Sequence, residues 1–311
     1  MNELIMLVGI PASGKTTIAK EYEKNGYTWH SSDAIRIEFD LPQTKEGNIE
    51  TFNILHKRVQ EDLKNGKNVI YDATNMSRKR RIGFLRSLNK IECFKKCIFT
   101  LASIETCKER NSKRENPVPD DVYSRMISIF HVPFFTEGYD QIEIVVTDDS
   151  EILKINNSDL NVDQENPNHR FTLYNHMKAT YDYLIGINRE DLATVGFYHD
   201  MGKLFTKTYW GDDMKAHYPC HENWSSYLYL SDHRNYFKNH KDKSVQKNDF
   251  IQLYNAFLIE HHMRFYNNEE AFEKFKKDIS SSKEIAKFNK DFNVDFWNDL
   301  NLIHDADIFA H

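Results

Sequence analysis

The sequence predicts an α/β unit built on a parallel sheet with helices on both faces, followed by an all-α unit. Three observations carry this. Five short apolar runs alternate with helical patterns through the first 150 residues. From Phe171 onward the apolar spacing is helical only. Histidine is skewed the same way, with 3 of 14 in residues 1–150 and 11 after them. The two halves therefore carry different side-chain chemistry.

Taken in order, the strand-like runs are Leu4–Val8, Tyr27–His30, Asn68–Tyr71, Phe94–Leu101 and Ile142–Val146. Helical patterns cover Thr16–Lys24, Ala34–Phe39, Ile49–Lys64, Ser77–Asn89, Ile104–Arg110 and Pro119–Phe130. In the second half they cover 171–186, 190–201, 220–239, 247–266, 269–279 and 295–310. Residues 147–168 are polar and rich in Asn, Asp and Ser, and the boundary falls near 155. The expected division is a first domain over 1–150, a linker over 151–167 and a second domain over 168–311.

The net charge of −6 gives no sign of a nucleic-acid partner by itself. Its distribution is uneven: residues 1–150 hold 22 basic and 22 acidic side chains, and the remainder holds 19 and 25. Cys93, Cys97, Cys107 and Cys220 have no paired spacing, which fits thiols in a reducing compartment. No basic start precedes a long apolar run, and no stretch of 18 apolar residues exists. The expectation is a cytoplasmic chain with no signal peptide and no membrane partner.

Gly9-Ile10-Pro11-Ala12-Ser13-Gly14-Lys15-Thr16 follows the first apolar run and opens a helix. That is the strand–loop–helix setting in which G-x-x-x-x-G-K-[ST] cradles phosphates, a P-loop. Gly9, Ser13 and Gly14 would turn backbone N–H groups toward an anion at the helix N-terminus, with Thr17 just beyond. Lys15 would reach the β- and γ-phosphates of ATP, and Thr16 would ligate Mg²⁺. Polar residues also follow the later strands, where ligands bind in such sheets. Ser32 or Asp33 would cap the helix that starts there, and Asp33 could also take a proton from an attacking hydroxyl. Arg36 lies three residues on. Asp72 closes the third strand in the manner of a Walker B acid on Mg²⁺. Asn75 and one or two arginines of Arg78-Lys79-Arg80-Arg81 could line an acceptor groove; a solvated helix face is the plainer reading. Arg110 and Arg114, four apart, precede a proline-broken segment that suits a mobile lid.

With those residues in place, the first half resembles the 5′-kinase domain of phage-type polynucleotide kinase over about residues 1–148. The resemblance rests on Gly9–Thr17, Asp33-x-x-Arg36, Thr74-Asn75…Arg80-Arg81 and Arg110–Arg114 with Val118-Pro119 after it. It implies that Asp33 is the general base for a 5′-hydroxyl, that Arg36 contacts the acceptor's phosphate, and that Arg114 stabilises the transition state with Arg110 helping.

In the second half, His176 lies on the first helix and His199-Asp200 end the second, before Gly202 as a helix stop. His221-Glu222 open the third helix, His261-His262 lie in the fourth, and Asp305 and Asp307 lie on the last. Clustered His and Asp on helices form mixed N/O sites for divalent transition metals. His169, His233, His240 and His311 read as ordinary surface or core residues.

This half resembles the HD superfamily of metal-dependent phosphohydrolases, on His176, His199-Asp200-Met201-Gly202-Lys203, His221-Glu222, His262-Met263 and Ala306-Asp307. The resemblance implies one metal (Mn, Ni, Co, Fe or Zn) on His176, His199, Asp200 and Asp307, with Asp305 the fallback for Asp307. His221 and His262 are candidates toward a second metal. Lys203 could hold phosphate oxygens.

Together the halves suggest a bifunctional end-healing enzyme for nucleic acid, RNA favoured over DNA. It would phosphorylate 5′-hydroxyl ends and remove a 2′,3′-cyclic or 2′/3′-terminal phosphate. Neither D-x-D-G-T nor K-x-D-G occurs, so sealing would need a separate ligase. The competing readings are a nucleoside or nucleotide kinase fused to an HD nucleotidase, and a nucleotide-sensing module.

Overall fold

The computed structural model describes residues 1–148, 155, 157–167, 169–210, 215–232 and 246–311. The chain divides into two compact units: Met1–Met126 with Pro133–Ser150, and Ile127–Val132 with Glu151–His311. Residues 151–154 and 156 of the expected linker lie outside the described residues.

In the first unit all five expected strands form. They are β1 (Glu3–Val8), β2 (Thr28–Ser31), β3 (Val69–Asp72), β4 (Phe94–Leu101) and β5 (Gln141–Val146). The sheet order is β2-β3-β1-β4-β5 and every pairing is parallel. Leu4 to Val8 are buried, as expected of a central strand covered on both faces. The core on one face joins Ile5, Leu7 and Ile70 to Ile18 and Ala19 of α1 (Lys15–Lys24). Parallel register places the ends of all five strands on one edge, where the candidate residues collect.

The connecting helices are α2 (Ser32–Glu38), α3 (Lys45–Lys64), α4 (Arg78–Ser87), α5 (Ile104–Ser112) and α6 (Asp121–Ser128). The cap of α2 is Ser31, whose hydroxyl accepts the Asp33 N–H at 3.2 Å, rather than Ser32 or Asp33. The last residue of β2 can do this because its backbone is still extended. Helix α3 starts before the expected Ile49: Thr44 caps it, and its polar first turn leaves no apolar period to read.

The basic run on α4 splits. Lys79 and Arg80 are exposed, while Arg81 is buried. Its Nε and Nη2 each donate to Glu137 at 2.7 Å, and its Nη1 donates to the carbonyls of Asn75 and Met76 at 2.8 and 3.0 Å. Arg81→Met would leave buried Glu137 with only the more distant Arg78, 3.4 Å away, as counter-charge. A loss of about 3–5 kcal/mol is expected, read as a lowered denaturation midpoint of the first unit.

The second unit is helical: α7 (Asn157–Leu160), α8 (Leu173–Gly186), α9 (Glu190–Tyr198), α10 (Lys203–Thr206), α11 (His221–Asp232), α12 (Gln246–His261), α13 (Glu269–Ser281), α14 (Lys283–Phe292) and α15 (Phe296–Phe309). A 3₁₀ turn, His262–Tyr266, follows α12. The purely α expectation needs one correction. An antiparallel ribbon pairs β6 (Thr208–Tyr209) with β7 (Ala216–His217). Two residues per strand are too few for alternation to show in sequence. Helix α14 was also unexpected; Ser282 caps it, and it packs through Ile285 and Phe288 among many charged residues. His233, His240 and the end of the helix expected over 220–239 lie outside the described residues. Leu160, Leu173, Met177, Met201 and Leu228 form a core cluster. Cys93, Cys97 and Cys107 are buried thiols and Cys220 is exposed. Among the described residues no helix is long and apolar enough to cross a membrane.

Candidate active sites

The first site is built where β1 gives way to α1. Gly14 takes φ 97°, a left-handed conformation that turns the loop into the helix. The Gly9 N–H donates to the Thr74 carbonyl at 3.0 Å, and the Ser13 and Thr100 hydroxyls meet at 2.6 Å. Lys15 lies inside the loop, its ammonium donating to the carbonyls of Gly9 and Ile10 at 3.0 and 2.7 Å. Burial lowers its pKa, and the neighbouring Asp72 and Asp33 charges pull it back up. Thr16 and Thr17 are exposed on the first turn of α1.

Asp72 is buried at the end of β3, beside Lys15 and hydrogen-bonded by Trp29 Nε1 at 3.2 Å. Burial raises its pKa, against the opposing pull of Lys15. Asp33 is exposed, and its charge acts on both Lys15 and Asp72. Arg114 acts on Lys15 from the exposed loop after α5. That loop is pinned at both ends by Asn111, which donates to Val118 O at 2.8 Å and accepts the Val118 N–H at 3.0 Å. Lys15, Asp33, Asp72 and Arg114 thus share one electrostatic neighbourhood.

Other candidates have internal partners. Arg36 donates to the Pro42 carbonyl at 3.0 Å and to Asn48 Oδ1, so it braces the loop between α2 and α3. Asn75, at φ 48°, is buried and donates its amide to Leu7 O at 2.8 Å. It fastens the loop after β3 to β1. Arg80 is exposed, 5.9 Å from the Phe52 ring centre. Arg110 donates to both the backbone oxygen and the hydroxyl of Thr147. Thr147 in turn donates to Ser13 O at 2.8 Å, joining the base of the lid to the phosphate loop. Sequence reading missed Thr147, Trp29 and Thr100. A polar residue directly after β5 was the available signal for Thr147.

The second site lies wholly within the second unit. His176 Nε2 is 3.1 Å from His199 Nε2, 3.1 Å from Asp200 Oδ2 and 3.1 Å from Asp307 Oδ1. His221 Nε2 is 3.1 Å from Asp200 Oδ1 and 3.3 Å from His262 Nε2. His262 Nε2 lies 3.7 Å from Asp200 Oδ1. Asp200 therefore stands between two groups of imidazoles. All six expected ligands meet, and Asp305 stays exposed while Asp307 faces in.

The far side of each ring fixes its tautomer. The Nδ1 atoms of His176, His199, His221 and His262 contact the carbonyls of Ala310, Gly196, Tyr218 and Ile259 at 3.1, 2.6, 2.7 and 2.7 Å. A carbonyl only accepts, so each Nδ1 carries the proton and each Nε2 presents a lone pair inward. Facing lone pairs at 3.1 Å beside two carboxylates call for a cation. Asp307 Oδ1 is buried with no aligned hydrogen-bond donor. With no cation between the carboxylates, Asp200 and Asp307 outweigh the burial of His199 and push its imidazole up to about 10, so its Nε2 would then hold a proton; a bound cation would take that proton's place and leave the lone pair facing inward. Burial also opposes the charge on Asp200, but Lys203 and His199 hold its carboxyl well below the usual range. Burial keeps His262 neutral. The donor set fits a divalent metal.

Two glycines make this convergence possible. A Cβ on Gly196 of α9 would sit 2.7 Å from Leu184 Cδ1, so α8 and α9 pack closely enough to join His176 to His199. Gly202 was expected as a helix stop, but α9 ends at Tyr198 and Gly202 leads into α10 with φ −63°. Its role is steric. A Cβ there would sit 2.2 Å from the His221 carbonyl, and its N–H donates to Ser225 Oγ at 2.8 Å. Only glycine lets the start of α11 come this near Asp200.

Lys203 donates to Asp200 Oδ2 at 2.6 Å and Gln164 Oε1 at 2.9 Å. Its ammonium is thus held on a ligand carboxylate. His169 and His311, read as ordinary, border the cluster: His169 Nε2 is 3.3 Å from Lys203 Nζ, and His311 Nε2 is 3.3 Å from Asp307 Oδ1. Tyr266 donates to Asp307 Oδ2 at 2.7 Å. These partners come from distant segments, and no local pattern marks them.

Residues 4–133 match the AAA domain family AAA_33. The chain is 28% identical over 149 residues to a bifunctional polynucleotide phosphatase/kinase of Schizosaccharomyces pombe, covering 46% of this chain and 33% of that protein. It is 26% identical over 179 residues to an L-seryl-tRNA(Sec) kinase of Methanococcus maripaludis, covering 52% of this chain and 69% of that one. The chain thus spans about a third of the length of the yeast relative. Among solved structures, a sugar kinase from Janibacter sp. HTCC2649 aligns with TM-score 0.37 at 17% identity, over 47% of this chain and 86% of that one. A gluconokinase from Sinorhizobium meliloti aligns with TM-score 0.37 at 16% identity, over 48% and 84%. The first unit is a P-loop kinase-like domain related to polynucleotide kinase/phosphatase and seryl-tRNA kinase. Such a domain implies ATP and Mg²⁺.

Proposed function

We propose that the chain is a bifunctional nucleic-acid end-healing enzyme, a polynucleotide 5′-hydroxyl kinase joined to an HD-type phosphohydrolase. The observation that carries the reading is the pairing, in one chain, of a phosphate loop holding Lys15 on the Gly9 and Ile10 carbonyls and a closed cluster of imidazole lone pairs on Asp200 and Asp307.

In the kinase site the acceptor is a 5′-hydroxyl of nucleic acid, RNA before DNA. Asp33 takes the hydroxyl proton as the oxygen attacks the γ-phosphorus of ATP, and the bond to the β-phosphate oxygen breaks to release ADP. Lys15 leaves the loop carbonyls for the phosphate oxygens. Arg114 swings from its pinned loop onto the transferring group, while Arg110 holds the lid base on Thr147. Thr16 and Asp72 would hold Mg²⁺, which neutralises charge on the phosphates.

In the second site His176, His199, Asp200 and Asp307 would hold one divalent transition metal, with His221 and His262 extending the set around the other oxygen of Asp200. A metal there supplies hydroxide near neutral pH and polarises the phosphoryl oxygens. The backbone carbonyls fix each imidazole, and Lys203 holds Asp200 ionised and oriented. The product is an end freed of its 2′,3′-cyclic or 2′/3′-phosphate, ready for a separate ligase.

The match to the seryl-tRNA kinase favours one second reading, a kinase for a hydroxyl carried on RNA through an amino acid. Offering labelled ATP with 5′-hydroxyl RNA, 5′-hydroxyl DNA, aminoacylated tRNA and free nucleosides separates these. Transfer only to free nucleosides would sink the end-healing reading. A further expected result concerns metals. Dialysis against a chelator and readdition of Mg²⁺ should restore 5′-phosphorylation but not phosphate release. Release should return with Mn²⁺, Ni²⁺ or Co²⁺, checked by elemental analysis of the loaded protein.

A further inference from the structure

A flat aromatic surface stands at the edge of the second site. Trp210 directly follows β6 and lies parallel on His217 of β7, with ring centres 4.3 Å apart and planes 12° apart. One face of the indole is covered by His217, yet Trp210 remains 52% exposed and the adjacent Tyr209 49% exposed. Trp210 thus stays open to solvent beside the stack. Phe205, 41% exposed on α10, lies parallel on Trp224 at 4.9 Å and 2°.

This ribbon is fastened to the metal-ligand cluster. Tyr218, next after His217, takes the His221 Nδ1 proton on its carbonyl at 2.7 Å. The Lys203 ammonium lies 5.4 Å from the Tyr218 ring centre and 2.6 Å from Asp200. The Tyr218 hydroxyl donates to the Gln164 carbonyl, and the Gln164 side chain accepts from Lys203. A rigid chain of contacts thus joins the stacked indole to the carboxylate at the centre of the cluster. Lys207 Nζ sits over the Tyr209 ring at 5.8 Å, its charge balanced by Glu165 at 2.5 Å.

We infer that the Trp210–His217 stack is a base-stacking platform for single-stranded nucleic acid, holding a nucleobase near the 3′ end while the terminal phosphate lies at the cluster. The proposal rests on the phosphohydrolase reading of that cluster. Every base has a π-face, so the platform grips any sequence, and an exposed indole already stacked on one side accepts a base on the other. It also explains an exposed tryptophan that no core requires.

The test uses the full chain loaded with Mn²⁺. Its substrates are a short 5′-phosphorylated oligoribonucleotide ending in a 3′-phosphate, and p-nitrophenyl phosphate. Trp210→Ala should raise the ratio of the oligonucleotide KM to the p-nitrophenyl phosphate KM roughly tenfold or more, and Trp210→Phe should recover part of it. An unchanged ratio in Trp210→Ala overturns the platform. A second arm places 4-thiouridine at the penultimate position of the same oligonucleotide, irradiates the complex and maps the crosslink by mass spectrometry. Crosslinks at Trp210 or Tyr209 are expected; crosslinks confined to other segments overturn the proposal. If the wild-type chain hydrolyses neither substrate with any metal, the phosphohydrolase reading fails, and the crosslinking arm still decides the platform.

Discussion

Asp200→Ala is expected to abolish release of terminal phosphate and to leave 5′-phosphorylation intact. Among the described residues Asp200 is the one carboxylate within reach of both imidazole groups, 3.1 Å from His176 on one oxygen and 3.1 Å from His221 on the other. Removing it deletes a ligand from each group and also frees Lys203 from its 2.6 Å partner. Partners outside the ligand shell typically cost 10–100-fold in affinity or activity when removed, so loss of this ligand should exceed about 100-fold in metal affinity. Asp200→Asn keeps the shape but gives up the charge, and should fall nearly as far. The measurements are bound metal per chain, phosphate release from a 3′-phosphorylated oligonucleotide, and label transfer to a 5′-hydroxyl. Metal content and hydrolysis both unchanged would overturn the site assignment. Loss of both activities with the melting temperature preserved would overturn the two-site model.

Asp33→Ala should produce the opposite pattern. A positioned general base contributes roughly 10²–10⁴-fold, so kcat for 5′-phosphorylation should drop by that factor while ATP binding persists. Asp33 is exposed at the start of α2, and its backbone N–H rather than its carboxylate makes the cap to Ser31. Little stability is therefore at stake, which makes the variant a clean probe. Lys15→Ala should fail differently, because Lys15 binds the nucleotide phosphates, and ATP affinity should weaken together with turnover. An Asp33→Ala enzyme with unchanged kcat would remove Asp33 from the mechanism and turn attention to Asp72, whose pKa burial raises against the opposing pull of Lys15.

Much of the architecture was legible because it depends on local order. Glycine at 9 and 14 with Lys15 and Thr16 implies a strand, a turn and a helix within a dozen residues. Asp33 and Asp72 could be placed because parallel strands deliver their ends to one edge. The six histidine and aspartate ligands were gathered through the resemblance to the HD superfamily, to which the His199-Asp200 pair before Gly202-Lys203 pointed. Elements without such signatures were lost. The β6–β7 ribbon has two residues per strand. Helix α14 does carry apolar residues at helical spacing, Ile285, Phe288 and Phe292, and was passed over because charged and polar residues fill most positions between them.

Other assignments changed once side chains had partners. Asn75 looked like a candidate for an acceptor groove yet fastens loop to strand, and of the arginines beside it Arg80 is exposed while Arg81 is buried on Glu137. Gly202 looked like a helix stop and is instead the contact point for α11. His311 and His169 looked ordinary and border the second cluster.

The sequence by itself determined which chemistry each half can hold, because residue type and short-range spacing set the phosphate loop and the stock of metal-type ligands. Only the tertiary structure decided which nitrogens and oxygens meet. Whether His176 faces His199 depends on the close packing of α8 on Gly196, and whether His221 reaches Asp200 depends on the missing Cβ of Gly202. Those are contacts between residues tens of positions apart, so spacing along the chain carries no record of them, and only the packing of one helix on the next sets the distances.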